Sequence, residues 1–128
     1  MYVRFIIHGL DEDSGRRQGL FQAVSNLEHE GALLPYEQAL YDDVYQWFRH
    51  NLKKPTSFSK SSKRGARAAA ISWFKDTAKD HIQKMREMAF ILEAHGTTTV
   101  MIQTEKPGYI VYEDEFQVAA EPYADTVT

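Results

Sequence analysis

The sequence predicts an α+β domain with three helices on one face of a mostly antiparallel sheet of about five strands, in the order βααβαβββ. Two patterns predict it. Apolar residues recur at helical spacing over three stretches, and the segment after Gly96 switches to alternation with period 2. A third observation argues against a doubly wound nucleotide-binding fold, because strands and helices do not alternate through the C-terminal part of the chain.

Tyr2 to Leu10 is β-branched and aromatic without a helical period, and ends at Gly9 before an acidic turn, so it predicts a first strand. Ser14 is placed to cap a first helix on which Leu20, Val24 and Leu27 share a face, with Gly31 as its stop. Pro35 suits a first helical position, and Tyr36, Leu40, Val44, Trp47, Phe48 and Leu52 form the expected core stripe of a second helix ending before Pro55. From about 53 to 67 the composition turns to Ser, Lys, Thr and Gly without any period, which predicts a loop of about 15 residues. Ala69 to Phe74 reads as a short buried strand. Thr77, with Asp80 three residues on, is placed to cap a third helix whose stripe is Ala78, Ile82, Met85, Ala89 and Leu92, with an Asp80–Lys84 pair on its wet side.

Val100 and Ile102 then alternate with Thr99, Met101 and Gln103, and Pro107-Gly108 predicts the turn of a hairpin. Ile110 to Tyr112 resumes the sheet, Glu113 to Glu115 turns, and Phe116 to Glu121 alternates in a last strand, with a tail expected to fray after Pro122. The strand–helix–strand unit from Ala69 to Gln103 suits a parallel crossover.

With 128 residues, 43% hydrophobic and 26% charged, the chain is expected to form one domain over 1–128 with one core, far from the composition of disordered proteins. It has no cysteine, which excludes disulfides, thiolate metal sites and cysteine nucleophiles together. The apolar start, Tyr2 to His8, is too short and too early interrupted by Arg4 for a signal peptide. No stretch approaches the ~18 apolar residues of a membrane span. A cytoplasmic protein without membrane contact is expected.

The net charge is only −3, but its distribution is uneven. Eight basic residues and no acid lie between Val44 and Lys75: Arg49, Lys53, Lys54, Lys60, Lys63, Arg64, Arg67 and Lys75. After Lys106 every charge is negative, namely Glu113, Asp114, Glu115, Glu121 and Asp125. The six basic residues Lys53, Lys54, Lys60, Lys63, Arg64 and Arg67 of the loop cannot neutralise one another, so they are the anion-binding candidates, set against the plainer reading of a solvated linker.

Motifs for catalysis are missing. No GxxxxGK[ST] or GxGxxG run is present, so no phosphate-cradling backbone and no nucleotide cofactor is implied. The five histidines, His8, His29, His50, His81 and His95, show no HxxxH or HExxH spacing toward zinc. Asp11, Glu12 and Asp13 stand where a helix dipole stabilises carboxylates without metal, and a calcium-hand reading fails at Arg16 and Gln22. No metal site is therefore assigned. Glu113, Asp114 and Glu115 are neighbours on a strand end, where adjacent side chains diverge, so a charged turn explains them better than paired catalytic carboxylates. Aromatic residues crowd the second helix beside Arg49, Lys53 and Lys54; Tyr41 and Tyr45 fall off the core stripe and are the stacking or interface candidates.

Three stretches, Gly9-Leu10-Asp11-Glu12-Asp13-Ser14-Gly15, Ile71-Ser72-Trp73-Phe74-Lys75 and Pro107-Gly108-Tyr109-Ile110-Val111-Tyr112-Glu113-Asp114-Glu115, resemble a family of small uncharacterised bacterial proteins. The resemblance implies a bacterial cytosolic protein and carries over no activity, ligand or site residue.

The leading expectation is a non-enzymatic binding or regulatory module whose basic loop contacts nucleic acid or an acidic protein surface. The alternative is a small hydrolase or nuclease using His8 and the carboxylates near Asp11, which needs these groups and a basic residue in one pocket. A homodimer is also expected, from tyrosines off the core stripe and an open sheet edge; in a further reading the basic loop meets the acidic hairpin of a second copy.

Overall fold

β1 (Tyr2–Leu10) is built from β-branched and aromatic residues, and its alternation places Val3, Phe5 and Ile7 on one face and Tyr2, Arg4 and Ile6 on the other. The computed structural model describes residues 1–10, 17–54, 70–124 and 126. After β1 follow β2 (Arg17–Gly19), α1 (Leu20–His29), α2 (Pro35–Asn51), β3 (Ile71–Lys75), α3 (Lys79–Ala94), β4 (Thr99–Thr104), β5 (Tyr109–Glu113) and β6 (Gln117–Glu121). The fold is α+β, as the periodicities predict, with the short β2 added.

β2 stands where the start of the first helix is expected. Glycine disfavours helix at position 19, and the backbone there pairs with β1 instead, Gly19 opposite Ile6 and Arg17 opposite Leu10. The N-cap of α1 is accordingly Gly19; Ser14 lies outside the described residues.

The sheet order is β4-β1-β3-β6-β5, antiparallel throughout, with β2 beside β1 beyond the end of β3. Two expectations are corrected here. β3 and β4 run parallel but do not pair, because β1 lies between them and bonds to both. The segment through Pro107-Gly108 closes no hairpin: β4 pairs with β1 and β5 with β6, at opposite ends of the five-strand order. Five Cα steps from Thr104 to Tyr109 reach at most about 18 Å, whereas four strand spacings of a flat sheet alone take about 19 Å. Thr104 is level with Lys75 at one end of the strands and Tyr109 is level with Glu121 at the other, so the sheet must coil until these diagonally opposite corners approach each other. Ile102 of β4 and Ile110 of β5 accordingly pack on one cluster, Ile71, Trp73 and Val118, inside the coil.

The opposite face carries the helices. Val3, Phe5 and Ile7 meet Leu20 and Val24 of α1, Tyr41, Val44 and Phe48 of α2, and Met85, Met88, Ile91 and Leu92 of α3. The stripe of α2 is rotated by one residue from the expected one: Glu37, Tyr41, Val44 and Phe48 are buried, whereas Tyr36 is 58% exposed. The rotation follows from Glu37, whose carboxylate accepts the Leu34 backbone N–H (2.9 Å) at the helix start and a bond from His95 Nε2–H (2.7 Å) at the end of α3. α1 and α3 both end with a left-handed glycine, Gly31 and Gly96, closed by the paired bonds Ala32 N–H to Leu27 O and Gly31 N–H to Glu28 O, and Thr97 N–H to Leu92 O and Gly96 N–H to Glu93 O. At the start of α3 the N-cap is Ala78 rather than Thr77, since the Ala78 N–H turns back to Lys75 O. Lys84 pairs with Glu87 (3.5 Å) rather than with Asp80.

Candidate anion-binding groove

Sheet geometry opens the site. β1 and β3 pair only at Tyr2–Lys75 and Val3–Phe74 and then diverge, because β2 takes the place beside β1 from Ile6 onward. The divergence leaves Ser72 exposed in the middle of β3. A groove of about 1390 Å³ lies there, between the start of α1, the end of α2, β3 and the β5–β6 turn. Leu20, Phe48, Phe74 and Met85 line its apolar part, with Phe21, Tyr45, Arg49, Lys53 and Lys54 also in its lining; Tyr45 and Arg49 are neighbours one turn apart on α2.

The basic side is held by its backbone. His81 donates Nε2–H to Asn51 O at 2.8 Å, Gln117 donates Nε2–H to Lys53 O at 2.5 Å, and Leu52 N–H bonds to Phe48 O at 2.9 Å. These bonds fix the path of residues 51–53, so Lys53 and Lys54 emerge at the mouth of the groove with exposed side chains. Basic residues at a helix C-terminus also complement its dipole, which by itself accounts for part of this clustering. Yet Arg49, Lys53 and Lys54 form no ion pair among the described residues, whereas Lys75 is taken up by Glu113 at 2.7 Å.

The aromatic side is a chain of edge-on rings. Phe21 meets Phe48 at 5.1 Å and Tyr45 at 6.5 Å between centroids, and Tyr45 remains 45% exposed. Tyr41 does not share that position: it is 6% exposed and belongs to the core, against the expectation that it stands off the stripe. Burial and the neighbouring Glu28 push its phenol above the ordinary tyrosine range.

The acids at the far end are structural. Asp114 Oδ1 accepts the backbone N–H groups of Phe116 and Gln117, and Oδ2 accepts Tyr112 O–H and Gln117 Nε2–H. Burial opposes its charge, but these bonds together outweigh burial and hold the carboxyl below its usual range. The hydrogen bond to Asp114 in turn raises the Tyr112 phenol. A carboxylate offers about four lone-pair positions, and here protein donors fill them, which leaves none for a metal. Among the described residues no three side chains of metal-binding type cluster.

The site thus joins Lys53, Lys54 and Tyr45, all singled out by sequence, with Arg49, Phe21, His81 and Gln117, whose roles depend on packing. His81 does fall on the core face of α3, one turn before Met85, so the period placed it while its polarity disguised it. Lys60, Lys63, Arg64, Arg67 and Asp11 lie outside the described residues. His8 is exposed on β1 and does not line the groove beside Lys53 and Lys54. Comparison with known protein families, curated proteins and solved structures gives no match. No helix among the described residues is long and apolar enough to cross a membrane.

Proposed function

We propose that this chain is a non-enzymatic binding module whose groove takes a polyanion, single-stranded nucleic acid in the first place. The observation that carries the reading is that one groove is lined by three cations with no ion pair among the described residues, Arg49, Lys53 and Lys54, together with the exposed ring of Tyr45 and its neighbour Phe21. Phosphates require cations, and unstacked bases require ring faces, so the pairing of the two fits a single strand better than a featureless acidic surface. The chain continuing from Lys54 carries Lys60, Lys63, Arg64 and Arg67, which extend the positive charge in sequence.

The test is binding of a labelled oligothymidylate as salt is raised. Log affinity should fall against log salt with a slope of about −0.7 per phosphate contact, and the Lys53→Glu/Lys54→Glu variant should bind more weakly with a shallower slope and an unchanged melting temperature. Binding of an acidic polypeptide but no oligonucleotide would redirect the reading to a protein partner. Absence of salt-dependent binding to either, and to heparin, at low ionic strength would overturn it.

A further inference from the structure

We propose that a second copy of this chain docks antiparallel along β4 and α3, joining two sheets through their β4 edges. Hydrogen-bond parity identifies what β4 offers. Lys75 N–H bonds to Phe116 O, so the backbone groups of Ile71, Trp73 and Lys75 point to β6, and those of Ser72 and Phe74 point to β1. Val3, opposite Phe74, then faces β3, which leaves Tyr2, Arg4 and Ile6 facing β4 opposite Thr104, Ile102 and Val100. The N–H and C=O groups of Thr99, Met101 and Gln103 therefore point outward, along an edge that pairs with no other described strand.

That edge is self-complementary. A two-fold axis through Met101 sets it opposite its own copy, with Thr99 opposite Gln103 on each side, so that every outward donor meets an acceptor. The axis stands perpendicular to the sheet and keeps both helical layers on the same side. α3 precedes β4 through a short turn and runs against it; four helical residues advance about 6 Å and two strand residues about 6.6 Å, which brings Phe90 level with Met101. Arg86 Nη2 reaching Met101 Sδ at 3.8 Å confirms that this part of α3 lies over β4.

The exposed row of α3 matches the same axis. Phe90 is 60% exposed, more than any other large hydrophobic side chain on the described helices, and is flanked by exposed Arg86 four residues before and Glu93 three residues after. In an antiparallel pair of α3 helices Phe90 meets its own copy while each Arg86 faces the other chain's Glu93. Met101, on the helical face of β4, lies beneath. Burial of apolar surface, strand pairing and charge thus select one occupant, another molecule of this chain.

Sedimentation of the full chain at micromolar concentration should give twice the chain mass. Phe90→Glu and Arg86→Glu should each give monomers with an unchanged circular dichroism spectrum, since both side chains are exposed. The Arg86→Glu/Glu93→Arg exchange should restore the dimer, because it reverses both partners of the same pair. Met101→Pro should also give monomers, and an outward N–H on an edge strand can be removed without breaking the fold. A single-chain mass for the wild type into the high micromolar range, or a dimer that persists in both Phe90→Glu and Arg86→Glu, would overturn the proposal. Neither outcome touches the groove, which lies on the other side of β1 from β4.

Discussion

His81 Nε2 lies 2.8 Å from the backbone oxygen of Asn51, and because a carbonyl only accepts, that ring nitrogen carries the proton of the bond. The imidazole is 3% exposed and sits among Trp47, Phe48, Phe74 and Phe116, the last at 4.4 Å between centroids. It joins the first turn of α3 to the last turn of α2, where the final carbonyls of a helix lack partners of their own. One side chain therefore closes the end of α2, fastens two helices and fixes the point where the basic segment leaves the core.

Replacing His81 separates these roles. His81→Phe keeps a ring in the cage but strands the Asn51 carbonyl, and should lower unfolding free energy by about 1–3 kcal/mol. His81→Ala also opens a cavity and should cost about 3 kcal/mol or more. Urea denaturation measures both, and equal stability of His81→Phe and wild type would show that the hydrogen bond contributes nothing net.

Gly108 has a different kind of necessity. Its φ is +126°, and a Cβ there would stand 2.0 Å from the backbone oxygen of Glu121. Gly31 and Gly96 also have positive φ, but nothing lies within 4 Å of a Cβ built on either. Gly31→Ala and Gly96→Ala should each cost about 1–2 kcal/mol of left-handed strain, whereas Gly108→Ala forces β5 away from β6 and should cost clearly more. Comparable melting temperatures for the three variants would contradict the close approach.

How much of this was legible follows from the range of the interactions involved. The stripe of Met85, Ala89 and Leu92 and the alternation of Val100 and Ile102 are local, so the elements could be read from spacing alone. Strand order is not local: Pro107-Gly108 has the same turn chemistry whether it closes a hairpin or links two edges of a coiled sheet, and only the pairing of β4 with β1 decides. The orientation of α2 escaped for a similar reason. Glu37 is charged and so adds nothing to an apolar stripe, but its bonds to Leu34 and His95 draw it in and carry Tyr41 into the core with it. In the groove the cations were visible as composition, whereas its aromatic side requires α1 and α2 to be packed together.

Acid should expose the two structural carboxylates. The Leu34 N–H bond, then the bond from His95, holds the Glu37 carboxyl below its ordinary 4.5, and hydrogen bonds prevail over burial to hold Asp114 below its ordinary 3.8. A folded value beneath the unfolded one contributes stability that is complete above the unfolded value and is lost as pH falls through the folded value. Melting temperature should therefore decline below about pH 4.5 and keep declining past 3.8. Glu37→Gln and Asp114→Asn should each be less stable at neutral pH and show a flatter decline in acid. Profiles parallel to the wild type would show that neither carboxyl is depressed.

The cations and the ring of Tyr45 should separate in the salt dependence of oligonucleotide binding. Lys53, Lys54 and Arg49 act through charge, so reversing them should change the slope of log affinity against log salt as well as its level. Tyr45 carries no charge and touches the ligand through its ring, so Tyr45→Ala should leave the slope unchanged and lower affinity at every salt concentration. The loss should be about 1–3 kcal/mol if one base stacks there. Tyr41→Phe serves as the comparison, since that ring is buried and should leave affinity unaltered. A Tyr45→Ala variant that binds as tightly as wild type at high salt, where charge contributes least, would show that the groove holds its ligand by phosphate contacts alone.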